Sequence, residues 1–98
     1  MIEKCENLTQ VRENIDRIDD SIVKLIAERA SYVMQASAFK KDEDGVKDVA
    51  RVEKVIAKIR AKAEKYGADA DMLEALYREM ISRFINKEMI AFKKCSEE

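Results

Sequence analysis

The stretch NLTQVRENIDRIDDSIVKLIAERASYVMQASAFKK, residues 7–41, carries the most regular apolar pattern in this chain of 98 residues. Its apolar residues recur at alternating spacings of three and four, the period of an α-helix that buries one side. Asn7 can cap this helix, with Gln10 as the reciprocal partner of a capping box. The pattern predicts a helix from about Asn7 to about Lys41, with an apolar stripe made of Leu8, Val11, Ile15, Ile18, Ile22 and Leu25.

Two more helices are predicted after this stretch. The second begins near Asp48, a possible N-cap, and ends at Gly67, which can adopt the left-handed conformation. The third begins at Asp69 or Asp71, and Glu74 would complete a capping box from Asp71. The residues predicted to be buried are Val49, Val52, Ile56, Ile59, Ala63 and Tyr66 in the second helix and Leu73, Leu76, Tyr77, Met80, Ile81, Phe84 and Ile85 in the third.

The composition predicts a single all-α domain over residues 1–98. Hydrophobic residues make up 47% of the chain and charged residues 40%, which is typical of a folded, strongly helical protein. There is no proline and there are only two glycines. A sheet-rich domain would need more turn residues than that.

The sequence also excludes several classes of function. Because it has no histidine, imidazole catalysis and histidine-ligated zinc are unavailable. A net charge of −1 argues against a nucleic-acid binder, and neither a signal peptide nor a membrane-spanning run is evident. We therefore expect a cytoplasmic protein without nucleic-acid or membrane partners, and we assign no role to Cys5 or Cys95.

The length of the first helix predicts a homodimer. About 33 residues form a rod of roughly 50 Å. A compact domain of this size has a diameter of only about 30–35 Å, since its radius of gyration is near 13 Å. We expect a second copy of the chain to cover the part of the stripe that overhangs, with the long helices paired about a two-fold axis.

Two cations continue the apolar stripe beyond Leu25, at Arg29 and Lys40. They lie about three turns apart on nearly the same face, with Cα atoms separated by roughly 16 Å. Two long cationic side chains at this spacing could enclose a small anion. Alternatively, both reach solvent or pair with acids such as Glu28 or Glu43.

A carboxyl interrupts the stripe of the third helix at Glu88. If it is buried, it either pairs with a cation such as Lys40 or stays protonated, because an unpaired buried charge is costly. The alternative is an edge position with the carboxylate in water. Together with Arg29 and Lys40, Glu88 indicates a polar pocket inside a helical bundle.

Arg12 can join this pocket only from a second chain. It lies 17 residues before Arg29, which is about 25 Å along the helix axis. In the predicted dimer, Arg12 of one subunit would lie near the half of the partner's helix that carries Arg29 and Lys40. Arg51 could close the mouth of the pocket, or it is simply a solvated residue at a helix start.

Several segments resemble the all-helical chorismate mutase family, which includes isochorismate pyruvate lyase. No segment is specific alone, but their order and spacing match over nearly the whole chain. The resemblance implies an intertwined dimer of three-helix chains that acts on a small dicarboxylate, chorismate or isochorismate, without metal or cofactor. The segments are LTQVRENIDRID (8–19), LIAER (25–29), FK (39–40), VARV (49–52), GADA (67–70) and FINKE (84–88).

The resemblance also implies roles for individual residues. Arg29 and the other subunit's Arg12 would each bind one substrate carboxylate. Lys40 and Glu88 would contact the ether oxygen, which gains negative charge as its bond to carbon breaks. Arg51 would assist at the pocket mouth.

At other positions the resemblance favours the lyase or is neutral. Asp48 matches an acidic loop residue of some members, although a capping role explains it equally well. Val52 stands where many mutases have a glutamate that contacts the substrate hydroxyl, and Phe84 stands where they have a small hydroxyl residue. These two residues, and a loop one residue shorter, resemble the lyase. Glu88 resembles some mutases, since the lyase has glutamine there.

We favour chorismate mutase, an isomerase that forms prephenate for aromatic amino acid biosynthesis. Isochorismate pyruvate lyase, which forms salicylate and pyruvate, is the alternative. A third possibility is a helical dimerisation module whose charged residues only set the register of the helices.

Overall fold

The computed structural model describes residues 2–39, 45 and 47–97 of the chain, and these contain three α-helices and no strand. The helices are α1, Leu8–Ser37, α2, Val49–Tyr66, and α3, Ala70–Glu97. The predicted all-α fold is confirmed. No helix in the described part of the chain is both long and apolar enough to cross a membrane.

Side-chain and backbone hydrogen bonds fix both ends of α1. Asn7 Oδ1 accepts from the backbone N–H of Gln10 at 2.9 Å, as a capping residue should. Gln10 Oε1 accepts in return from the backbone N–H of Glu6 at 2.8 Å, one residue before the predicted partner. The helix ends at Ser37, earlier than predicted, because the N–H groups of Ala38 and Phe39 bond to carbonyls three residues back and tighten the chain into a turn.

Both ends of α2 have the predicted caps. Asp48 Oδ1 accepts from the backbone N–H of Arg51 at 3.0 Å. At the other end, Gly67 has φ 74° and ψ 27°, the left-handed region where a side chain would be strained. The N–H of Ala68 then reaches the carbonyl of Ala63 at 2.8 Å, which satisfies one of the last carbonyls of the helix.

The cap of α3 is Asp69, whose Oδ1 accepts from the backbone N–H of Met72 at 3.1 Å. The predicted capping box from Asp71 to Glu74 is wrong. Both carboxylates instead face α2, where Arg60 donates to Asp71 Oδ1 and to Glu74 Oε1, each at 2.9 Å. These two acids therefore form ion pairs with the neighbouring helix instead of capping the start of α3.

An ionic network continues along the contact between α2 and α3. Arg78 donates to both oxygens of Glu53 on α2, at 2.9 and 3.0 Å, and to Glu74 on its own helix at 2.8 Å. With Arg60 and Asp71, these residues form an alternating chain of charges at the surface. This α2–α3 ion network has a more favourable geometry than isolated surface ion pairs, since Arg78 and Glu53 form two parallel hydrogen bonds.

The apolar core of the described residues lies between α2 and α3. Ile56 and Ala63 on α2 and Met89 on α3 are buried, and Val52, Ile59, Leu73, Tyr77 and Phe84 are half-buried. Three residues predicted to be buried are exposed in this chain, because they lie at the ends or the edge of the contact. They are Val49 at 72%, Tyr66 at 74% and Leu76 at 56%.

The apolar stripe of α1 is exposed within the chain, and α1 has no buried residue. Its exposed fractions range from 39% at Val11 to 63% at Leu25. The contacts divide the chain into two units, Met1–Val33 and Met34–Glu98, which are described separately below. The prediction that this stripe is buried therefore does not hold for one copy of the chain.

Candidate active site

Glu88 lies on α3 and is 3% exposed, and among the described residues it is the only buried residue with a polar or ionisable side chain. Glu88 has an interaction partner, and no buried side-chain oxygen or nitrogen in the described part of the chain lacks a hydrogen bond. The alternative of a carboxylate in water at the edge of the bundle is therefore wrong. Met89, the next residue along α3, is also buried.

Phe84 precedes Glu88 by one turn of α3 and is half-buried. Residues four apart on a helix share a face, so the ring and the carboxyl belong to the same side of α3. Lys87 Nζ lies 5.8 Å from the centroid of the Phe84 ring, within cation–π range. Lys87 was not predicted to have a role, although its spacing of three from Phe84 could have indicated this contact.

Asp48, Arg51 and Val52 lie together at the N-terminus of α2. Asp48 is exposed and acts as the helix cap, which is the structural role proposed for it as an alternative to substrate contact. The side chain of Arg51 is exposed, so its guanidinium is accessible to a ligand. Val52 is half-buried and offers only an apolar surface.

Arg12 and Arg29 both lie on α1 within the first unit. Arg12 is exposed, whereas Arg29 is half-buried and has an interaction partner. The helix is continuous between them, so 17 residues separate them by about 25 Å along its axis. A single chain thus does not bring these two arginines together around a small ligand. Lys40, like Glu43, lies outside the described residues.

The residue types of these positions suit the binding of an anion. Guanidinium groups bind carboxylates in a bidentate manner, and a buried carboxyl can donate or accept a hydrogen bond according to its protonation. Among the described residues, no group of three or more cysteine, aspartate or glutamate side chains is placed to hold a metal ion.

A separate polar recess of about 400 Å³ lies beside the start of α1, in the first unit. Its lining includes Cys5, Gln10, Asn14 and Arg17, and none of the residues predicted for the active site. Asn14 Nδ2 donates to Cys5 Sγ at 3.5 Å, and Cys5 is half-buried. The prediction that Cys5 has no role stays a prediction.

Comparison with known proteins identifies the family. The profile of the family described as chorismate mutase type II matches residues 11–89. The chain belongs to the type II chorismate mutase family. A relative, the isochorismate pyruvate lyase of Pseudomonas aeruginosa, is 36% identical over 87 residues, which cover 89% of this chain and 86% of the relative. The resemblance inferred from the sequence is thereby confirmed.

The chain thus belongs to a family of enzymes that act on chorismate-like small molecules. The matched span of the chorismate mutase family contains every residue predicted for the site. These residues are Arg12, Arg29, Lys40, Asp48, Arg51, Val52, Phe84 and Glu88. The roles of the individual residues stay predictions.

Proposed function

We propose that the protein is a chorismate mutase, which converts chorismate to prephenate in a cationic pocket built from two copies of the chain. The observation that carries the proposal is the buried, partnered carboxyl of Glu88 inside the span matched by the family. A charged residue in an apolar contact is costly, so a use for its hydrogen-bonding capacity is the simplest reason for its presence.

The exposed stripe of α1 supports the homodimer. Six large apolar side chains lie along one face of a helix of 30 residues, which is about 45 Å long, and this chain leaves all of them exposed. A contiguous apolar face of this length indicates a protein contact. A second copy related by a two-fold axis would cover it, and antiparallel α1 helices would bring Arg12 of one subunit towards Arg29 of the other.

In the proposed site the cations do the binding. Arg29 and the other subunit's Arg12 hold the two substrate carboxylates, and Arg51 lies at the pocket mouth. Holding both carboxylates favours the compact conformer of chorismate in which the carbons that form the new bond approach each other. The rearrangement is pericyclic, so it needs no nucleophile and no obligatory proton transfer. This suits a chain without histidine.

Lys40 and Glu88 act on the reaction itself. The ether oxygen of chorismate gains negative charge as its bond to carbon breaks, and hydrogen-bond donors at this oxygen stabilise the transition state more than the substrate. The ammonium of Lys40 is one donor, and the carboxyl of Glu88 is the other when it is protonated. The mechanism requires no metal and no cofactor.

A second candidate is the reaction of isochorismate pyruvate lyase. The relative from Pseudomonas aeruginosa carries that name, and Val52 and Phe84 resemble the lyase rather than the mutase. The half-buried Val52 cannot form a hydrogen bond to a substrate hydroxyl, which removes one contact that would select chorismate. The two reactions can share one pocket, because both break the same ether bond in a pericyclic step.

Product analysis tests the proposal. The purified protein is incubated with chorismate and, separately, with isochorismate, and the products are separated by liquid chromatography. Prephenate from chorismate is the expected result, whereas exclusive formation of salicylate and pyruvate from isochorismate would assign the lyase reaction instead. Turnover of neither substrate would contradict both enzymatic functions and favour the dimerisation module.

Arg29→Ala checks that any turnover belongs to this site. Loss of a carboxylate-binding guanidinium should lower kcat/KM by a factor of about 10² to 10³. Arg17→Ala is the matched control, because Arg17 is an exposed arginine on the same helix whose side chain bonds to Asn14 at 3.3 Å. Equal losses in both variants would remove Arg29 from the proposed role.

A further inference from the structure

Four exposed lysines form a row along α2, which we call the lysine row. Lys54, Lys58, Lys62 and Lys65 follow one another at spacings of four, four and three. At 100° per residue they occupy an arc of about 80° and extend over about 17 Å of the helix. They lie on the side of α2 opposite to Ile56 and Ala63, which are buried. The row is thus a narrow, straight band of positive charge on the outer surface.

No acidic side chain of the described residues pairs with the lysine row. Of the two glutamates on α2, Glu53 bonds to Arg78, and Glu64 lies about 120° around the helix from the centre of the row. Other helices balance such charges locally, as Lys24 pairs with Asp20 four residues before it. Like charges four residues apart repel and destabilise a helix, so the row has an energetic cost that an anionic partner would offset.

The charge of α2 differs in sign from that of the whole chain. The helix carries six basic and two acidic residues, a net charge of +4, while the chain has a net charge of −1. The positive band therefore stands out against a surface that is slightly acidic elsewhere. Such local charge steers and orients an acidic partner.

Three exposed alanines lie next to the lysine row along one side. Ala50, Ala57 and Ala61 occupy an arc of about 40° immediately beside it. Small side chains let the backbone of a second helix approach closely. No large apolar side chain accompanies them that could insert into a bilayer, as surface-bound amphipathic helices require. Tyr66, beside Lys65 at the end of the row, is the single aromatic residue of α2, whereas proteins that bind single strands stack successive bases on several aromatic side chains.

We propose that the lysine row and the adjacent alanines form a docking surface for an acidic amphipathic α-helix of a partner protein. Glutamates or aspartates at spacings of three and four on the partner helix match the spacing of the lysines. The side chains next to those acids on the partner helix pack against the small alanines. Arg51 of the candidate active site lies one turn before Lys54 on the same side of α2, next to this surface. The variants below leave Arg51 unchanged, and the inference does not depend on the proposed function.

A binding assay with the full-length protein tests the docking surface. The probe is a fluorescein-labelled synthetic helix of about 20 residues, with glutamates at spacings of three and four along one face, long enough to be helical. Its affinity is measured by fluorescence anisotropy for the wild type, for the triple variant Lys54→Gln, Lys58→Gln and Lys62→Gln, and for a control. The control is Lys4→Gln, Lys24→Gln and Arg83→Gln, which removes the same charge from exposed positions elsewhere.

The wild type should bind the probe, the row variant should bind it about tenfold more weakly, and the control should stay within about twofold of the wild type. Equal losses in the two variants would overturn the proposal, because net charge alone would then explain binding. Equally tight binding of a peptide with the same composition in shuffled order would also overturn it, as would no binding by the wild type. Tighter binding to phosphatidylserine vesicles or to single-stranded polyuridylate would assign the row to a membrane or a nucleic acid instead.

Discussion

Glu88 places a carboxyl at a buried position that an apolar side chain would fill at less cost. A carboxyl at a buried position on an apolar helix face lowers stability unless it is hydrogen-bonded, and Glu88 has a partner. A leucine or methionine there would pack without that requirement. The proposed role of Glu88 in binding substrate would account for a carboxyl at this position.

The replacement Glu88→Gln tests this role through the dependence of activity on pH. A carboxyl can donate a hydrogen bond to the ether oxygen only when it is protonated, whereas an amide can donate at every pH. The activity of the wild type should rise towards acidic pH, and the profile of Glu88→Gln should be flat over the same range. Profiles of kcat/KM measured for both proteins check this, and the same slope in both would remove Glu88 from the chemistry.

Asp48 allows a capping role and a substrate-binding role to be separated. Asp48→Ala removes the acceptor for the N–H of Arg51 and should lower the free energy of unfolding by about 1 kcal/mol. Asp48→Asn keeps a capping oxygen and should unfold in urea almost like the wild type. If capping is the whole role, Asp48→Asn also keeps its KM, and a raised KM in that stable variant would show that the charge contacts substrate.

The sequence pattern showed that Glu88 is unusual, because a carboxyl interrupts an apolar stripe, and that Asp48 caps a helix, because a cap precedes the helical pattern. It left open whether Glu88 is buried. The contact of Lys87 with the ring of Phe84 was missed, since a lysine beside an apolar face is usually solvated. Whether a charged side chain is buried depends on the neighbouring helix, and no local pattern specifies that.

At the scale of elements, the contact between α2 and α3 combines an apolar core with the ion network at its edge. Hydrogen bonds from Arg78 hold the pKa values of both Glu53 and Glu74 below the usual value of 4.5. Arg78 reaches Glu53 only when the two helices are packed, whereas its contact with Glu74 lies within α3. The network links the pH of the solution to the stability of the second unit.

Arg78→Met should weaken the response of stability to acid. A carboxylate whose pKa is lower in the folded state stabilises the fold above its unfolded value, and this contribution is lost as pH falls through the folded value. The free energy of unfolding of the wild type should therefore fall between about pH 5 and pH 3 by more than that of Arg78→Met. Urea titrations at several pH values measure this difference.

Arg83→Met is the matched control for that experiment. Arg83 pairs with Glu79 within α3 at 2.7 Å and does not reach α2. Its removal should leave the pH dependence of stability unchanged, since exposed pairs within one helix contribute little. If the two variants respond to acid alike, the network is not the cause of the dependence.

The ends of the helices show which local sequence signals are enough to predict a helix boundary. Asn7, Asp48 and Gly67 act where the sequence placed them, because capping involves groups only a few residues apart. The box from Asp71 to Glu74 was wrong, because Arg60 lies across the helix contact and competes for both acids. Long-range pairing of charges is invisible to a pattern of spacings along the chain.

At the scale of the whole molecule, the exposed stripe of α1 is the feature that one chain does not explain. Ile18 lies in the middle of the stripe and is 44% exposed. Ile18→Asp should place a charge in the proposed interface and convert the dimer to monomers, with loss of activity. Sedimentation velocity measures the outcome.

Val23→Asp is the control for that prediction. Val23 is an exposed apolar residue of the same helix and lies about 110° around it from the centre of the stripe. This variant should remain dimeric. A monomeric wild type, or equal dissociation of both variants, would show that the stripe is not the interface.

In the proposed enzyme, two chains together build each active site, and hybrid dimers provide the decisive test. Arg12→Ala and Arg29→Ala are each expected to be inactive. Equal amounts of the two proteins are mixed in denaturant and refolded together, so about half of the dimers contain one chain of each kind. In such a hybrid dimer, one site carries both substitutions and the other site carries neither. Chorismate turnover should therefore reappear. Hybrid dimers that form, as seen by mass spectrometry, and remain inactive would contradict a site shared between subunits.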